Sequence, residues 1–214
     1  MWISEWDFSA GKLLWTEGPI EIDSPFSTKL SPEARLLALV PGSWGHQRIE
    51  LWDTTYRQLR ATTEDLGTLW MNGSGDFPPG HGMVFSPDGR RIFVVSGGRG
   101  LIIDTLNGKV LYRFDYQKRR RLASSKVDDL APAAFSPDGR LLVLGLPGEG
   151  VQVLDVATGK MLSAVSESAP PVSAHSETPS AIAFSPDGRT LGVVARGEIK
   201  QWEVARLIET PKGG

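Results

Sequence analysis

A chain of 214 residues with 40% hydrophobic content carries enough apolar material for a sizeable core. Its 23 basic and 25 acidic side chains nearly cancel, so no global field draws it toward nucleic acid or an anionic membrane. The absence of cysteine excludes disulfides and thiolate metal sites, and no apolar run is long enough to span a bilayer.

The opening residues, Met1-Trp2-Ile3-Ser4-Glu5-Trp6-Asp7, show neither the basic nor the apolar region of a signal peptide, so the expected compartment is cytoplasmic. Ile3 to Asp7 reads as a strand ending in an acid, followed by a turn at Gly11-Lys12 and a second strand. Next comes Leu30-Ser31-Pro32-Glu33-Ala34-Arg35, a degenerate form of a hexapeptide that recurs downstream. The full form, Phe-Ser-Pro-Asp-Gly-Arg, begins at Phe85, Phe135 and Phe184, at intervals of 50 and 49 residues. A period near fifty marks a repeat architecture.

The hexapeptide has the chemistry of a tight hairpin. Pro87, Pro137 and Pro186 pre-set φ, while Asp88, Asp138 and Asp187 can bond to nearby amides. Gly89, Gly139 and Gly188 supply the left-handed residue that closes the turn. A short aliphatic run on either side, such as Ala181 to Phe184 and Thr190 to Val194, reads as a strand. A third strand ending in an acid follows each turn, reaching Asp53, Asp104, Asp155 and Glu203. Gly108 and Gly159 lie four residues after their acids, as Gly11 does after Asp7, and each is followed by lysine. This is a second hairpin, after which a fourth strand such as Lys109 to Phe114 completes the unit. The expected architecture is therefore all-β: a β-propeller of four-stranded antiparallel blades.

These turns, together with Trp6-Asp7, Trp52-Asp53, Leu154-Asp155 and the Asp-Val-Ala-Thr-Gly-Lys turn at 155–160, make the chain resemble the WD40 repeat family over nearly its whole length. TolB-like repeats share the Ser-Pro-Asp-Gly turn but less of the Trp-Asp signal, and Gly97-Gly98 is a weak hint of kelch repeats. The resemblance implies an interblade histidine, and His175, nine residues before Phe184, holds that position with its partner Trp202 present. Val193 stands where the family has Ser or Thr, and the family's aspartate is lost in the Ala195-Arg196-Gly197 turn. Apolar packing and backbone ladders are therefore expected to hold the blades.

The units divide as a half blade at 1–18 and blades at 19–66, 67–116, 117–166 and 167–214, in a single domain. The last unit already owns a third strand, so the half blade duplicates rather than completes it. An open arc is favoured over a closed five-blade ring, and its free edges would allow self-association.

In such a blade the two repeated turns lie at one end and the variable connections at the other. The variable face is the expected protein-binding surface. Its candidates are Trp44 and His46 in one connection, Trp70 and Phe77 in an interblade loop, and Arg119, Arg120 and Arg121 in another. The plainer readings are edge packing for the aromatics and a solvated loop for the arginines. His46, His81 and His175 have no metal-ligand spacing, and Trp6, Trp52 and Trp202 read as core.

No nucleophile elbow, zinc-protease helix or phosphate-binding glycine loop is present. The expected function is a non-catalytic scaffold for protein–protein interaction, with no cofactor, metal, nucleic acid or membrane. The alternatives are an enzyme or small-ligand-binding propeller with its site at the central channel, or a truncated remnant of a larger protein.

Overall fold

The computed structural model describes residues 3–7, 9–17, 27–41, 48–66, 83–96, 99–115, 132–146, 150–165, 179, 181–195 and 197–209. Strands β1 (Ile3–Asp7) and β2 (Lys12–Glu17) form a hairpin paired only with itself. Three four-stranded antiparallel meanders follow. The first comprises β3 (Ser27–Leu30), β4 (Leu36–Val40), β5 (Glu50–Asp53) and β6 (Gln58–Thr62). The second comprises β7 (Met83–Phe85), β8 (Arg91–Ser96), β9 (Arg99–Asp104) and β10 (Val110–Asp115). The third comprises β11 (Ala133–Phe135), β12 (Leu141–Leu146), β13 (Gly150–Asp155) and β14 (Met161–Val165). The last sheet has three strands, β15 (Ala181–Phe184), β16 (Thr190–Ala195) and β17 (Glu198–Glu203), and then a helix, α1 (Val204–Glu209).

The first strands of successive sheets lie side by side, β3 against β7, β7 against β11 and β11 against β15. This is the stacking of propeller blades about a common axis. Among the described residues, no comparable packing joins β15 back to β3.

Strand alternation explains how the blades adhere. In β8, Ile92 and Val94 point into the core shared with the preceding blade, and Phe93 points into the core shared with the next. In β12, Leu142 and Leu144 face backward and Val143 forward in the same way. A central blade must therefore be apolar on both faces, which is why its strands read as continuous aliphatic runs. Burying a side chain such as Phe93, fully inaccessible here, contributes about 1.5–3 kcal/mol.

The last blade differs on its forward face. Gly192 stands in β16 where the preceding blades have buried Phe93 and Val143. Exposed Gln201 stands in β17 where they have buried Ile102 and Val153. Its backward face keeps the pattern, with Leu191 and Val193 buried in the third core.

Helix α1 takes the place of a fourth strand. Glu203 is not followed by a turn glycine, and the Val-Ala-Arg-Leu-Ile-Glu run favours helix. The helix packs on β14 and β17, with Val204 and Leu207 buried in the third core.

Candidate functional site

The described residues give the repeated-turn face in atomic detail. Gly89, Gly139 and Gly188 have φ of 68°, 71° and 71°, the left-handed backbone anticipated for them. The serine two residues before each aspartate does as much as the aspartate itself. Ser86 Oγ donates to Asp88 Oδ1 at 2.6 Å and accepts from the Arg91 amide at 3.0 Å. Asp88 Oδ1 in turn accepts from the Arg90 amide at 3.0 Å. The set repeats at Ser136, Asp138, Arg140 and Leu141, and again at Ser185, Asp187, Arg189 and Thr190. In the degenerate copy, Ser31 Oγ still accepts from the Leu36 amide at 3.0 Å, and Ala34 takes the glycine's place with φ 54°.

Adjacent turns touch. A β-carbon at Gly188 would lie 3.5 Å from Pro137 Cδ, and one at Gly139 would lie 3.8 Å from Pro87 Cδ. These two glycines thus face the proline of the turn before them, and a β-carbon at Gly89 would face Ser31 Cβ of the degenerate turn at 3.8 Å.

The second hairpins are braced by their acids. Asp53 Oδ1 accepts from the amides of Thr55 and Tyr56, both at 2.9 Å. Asp104 Oδ1 accepts from the Leu106 amide at 2.7 Å, and Asp155 Oδ1 from the amide and hydroxyl of Thr158 at 2.7 and 2.6 Å. These turns dock on the preceding blade. A β-carbon at Gly159 would sit 2.5 Å from the Tyr112 ring, whose hydroxyl donates to Ala157 O. At Gly108 a β-carbon would meet Thr62 O at 2.7 Å.

Electrostatics follow from these bonds. At Asp138 and Asp187, the hydrogen bonds from Ser136 and Ser185 lead in holding the carboxyls below the usual range. The Thr158 hydrogen bond does the same for Asp155. At Asp88, burial pushes the carboxyl up, but the Ser86 and Arg90 hydrogen bonds and the charges of Arg90 and Arg91 outweigh it. Four carboxylates so stabilised in their ionised form are poor proton donors near neutral pH. One oxygen of each, Oδ1, is committed to its turn.

A groove of about 760 Å³ lies between the last two blades on this face. Leu141, Val204, Ala205 and Ile208 give it apolar walls, and Asp138, Asp187, Arg189 and Glu203 line it as well. One blade earlier, Arg91 holds the position of Leu141 and reaches across to the next blade, its Nη1 donating to Val156 O at 3.5 Å. Neither the groove nor α1 was anticipated. The signal available for both was the missing glycine after Glu203, together with the apolar pair Val204 and Leu207.

The residues proposed from sequence as an interaction surface, Trp44, His46, Trp70, Phe77, Arg119, Arg120 and Arg121, lie outside the described residues, as does His175. Trp6 and Asp7 fall in β1 without described side chains. Trp52 is half-buried, its Nε1 donating to Glu50 Oε2 at 2.8 Å, and Trp202 is partly buried against the third core. Val193, at the position discussed for a hydroxyl, is buried in that same core. Among the described residues, no cluster of three or more potential ligands is placed to hold a metal ion. None of the described helices is long and apolar enough to cross a membrane.

No protein-family model matches the chain. A search of curated proteins likewise finds no match.

Proposed function

We propose that this chain is a WD40-like, non-catalytic scaffold that binds another protein through the face carrying its variable connections, in the cytoplasm. The observation that supports this reading is the commitment of the repeated face to architecture. Its serine hydroxyls and the Oδ1 of each turn aspartate are engaged turn by turn, and those bonds favour the ionised carboxylates. In a four-stranded meander the first and third connections leave at one end and the second at the other. On that topology we assign the connections that differ between repeats, including those with Trp44, Trp70 and Arg119–Arg121, to the face opposite the uniform turns. Loops on a rigid scaffold are where recognition is built.

Affinity capture with the intact chain tests the reading. A specific partner is expected to be lost with Trp44→Ala or with Arg119→Ala/Arg120→Ala, and kept with the turn-face variant Arg140→Ala. Unchanged capture by the loop variants, or loss with Arg140→Ala alone, would overturn the assignment.

A second reading, a small ligand held in the groove between the last two blades rather than at the central channel, rests on that groove alone. Its apolar walls suit a ligand anchored by an aliphatic or aromatic group. Loss of ligand-induced thermal stabilisation with Ile208→Glu, at the exposed wall of the groove, would distinguish it from a loop-face partner.

A further inference from the structure

In the three complete blades the third strand is flanked on both sides, β5 by β6, β9 by β10 and β13 by β14. Among the described residues, β17 has no strand beyond it. A strand at a sheet edge is a template for another strand, and its side chains decide which one fits. Ile199 is 72% exposed on the forward face of β17. Val194 pairs with it in β16, and Ala181 pairs with Val194 in β15, so an apolar row runs to the edge and stops. Glu198 and Lys200 flank Ile199 and point to the other face. The chain leaves the strand for α1 after Glu203, at the opposite end from Ile199.

We propose that β17 pairs edge to edge with β17 of a second copy of this chain, antiparallel, with Ile199 opposite its own counterpart. The inference stands apart from the loop-face reading, since it uses a different surface. Antiparallel pairing of identical strands about a two-fold axis sets one residue opposite itself and its neighbours opposite each other. Centred on Ile199, the pairing places Glu198 opposite Lys200 twice and joins the two apolar rows into one continuous row. Centred on Lys200, it would oppose two ammonium groups. Centred on Gln201, it would put Ile199 opposite Glu203, and centred on Glu198 it would oppose two carboxylates. Opposite charges directly across a strand pair stabilise it and like charges destabilise it, so the first register is selected. The contact is short, so the dimer is weak and concentration-dependent.

Sedimentation velocity from micromolar to millimolar chain tests this, with circular dichroism to check that each variant is folded. The intact chain is expected to show a reversible monomer–dimer equilibrium. Glu198→Lys and Lys200→Glu should each weaken it by about tenfold, because each puts like charges across the strand pair at two places. The double variant should dimerise like the original chain, and an equimolar mixture of the two single variants should form heterodimers. A chain that stays monomeric throughout, single variants that dimerise undiminished, or a mixture that fails to associate would each overturn the proposal.

Discussion

Arg57 holds the same left-handed backbone as Gly108, φ 57° against 72°, four residues after Asp53 as Gly108 is after Asp104. The turn geometry is thus enforced by the acid's hydrogen bonds and the strand pairing, and glycine only makes it inexpensive.

Ala34, with φ 54° in the place of Gly89, gives the cleaner test because its side chain is a single methyl. A side chain in this region costs about 1–2 kcal/mol, and glycine's extra freedom in the unfolded chain offsets about 0.5–1 kcal/mol of that. Ala34→Gly is expected to stabilise the protein by about 0.5–1 kcal/mol, raising Tm by roughly 1–4 °C. Urea and thermal unfolding would check it, and a loss of stability would contradict the strain argument.

Gly159 is needed for its space as well as its φ of 67°, because Tyr112 lies where a β-carbon would go. Gly159→Ala is expected to cost about 2–4 kcal/mol, part backbone strain and part overpacking. In a Tyr112→Ala background only the backbone part should remain. A double-mutant cycle should therefore show a coupling of about 1–2 kcal/mol. Additive effects would mean that the turn moves away from the ring at little cost.

The turn aspartates are expected to contribute to the loss of stability in acid. Their folded pKa values lie below the unfolded value of about 3.9, so the fold favours the ionised form. That contribution is fully present above about pH 5 and is lost as pH falls through the unfolded value toward the folded ones. Asp138→Asn should lower stability at pH 7 and converge with the parent once pH has fallen below the folded value, because the amide accepts the same bonds without titrating. A parallel offset at every pH would remove Asp138 from the account.

Helix α1 is expected to act as a seal on the third core. Leu207 is 4% exposed whereas its neighbour Ile208 is 40% exposed. Leu207→Ala should cost about 2–5 kcal/mol, and Ile208→Ala should stay within about 0.5–1 kcal/mol. Equal costs at both positions would show that the helix packs by some other face.

The turns were legible because their chemistry is local. Proline, aspartate and glycine at fixed offsets specify a hairpin whatever surrounds them, and Gly11, Gly89, Gly139, Gly159 and Gly188 all adopt positive φ. Blade stacking was legible for a related reason, since Ile92, Phe93 and Val94 in succession imply a strand covered on both sides. What escaped was whatever depends on a departure from the repeat. Arg57 hides a left-handed residue behind an ordinary side chain, because the constraint comes from Asp53 and the sheet. Helix α1 escaped because the repeat offers no precedent for a helix after the third strand, whereas burial of Val204 and Leu207 decides for one. Serine's part in the turns was visible as a letter in every copy, yet its double role as donor and acceptor is a matter of distances.

The forward face of the last blade also bears on how such a chain can lengthen. With Gly192 and Gln201 in place of Phe93 or Val143 and Ile102 or Val153, a further unit appended there would lose the central apolar contacts that join the other blades and would meet only the Ala181, Val194 and Ile199 row at one end of the strands. A duplicated unit would gain two apolar neighbours only if it were inserted between existing blades. Growth of this architecture is thus favoured from within, because the forward face of the three-stranded blade is the poorer of its two faces for packing a neighbour.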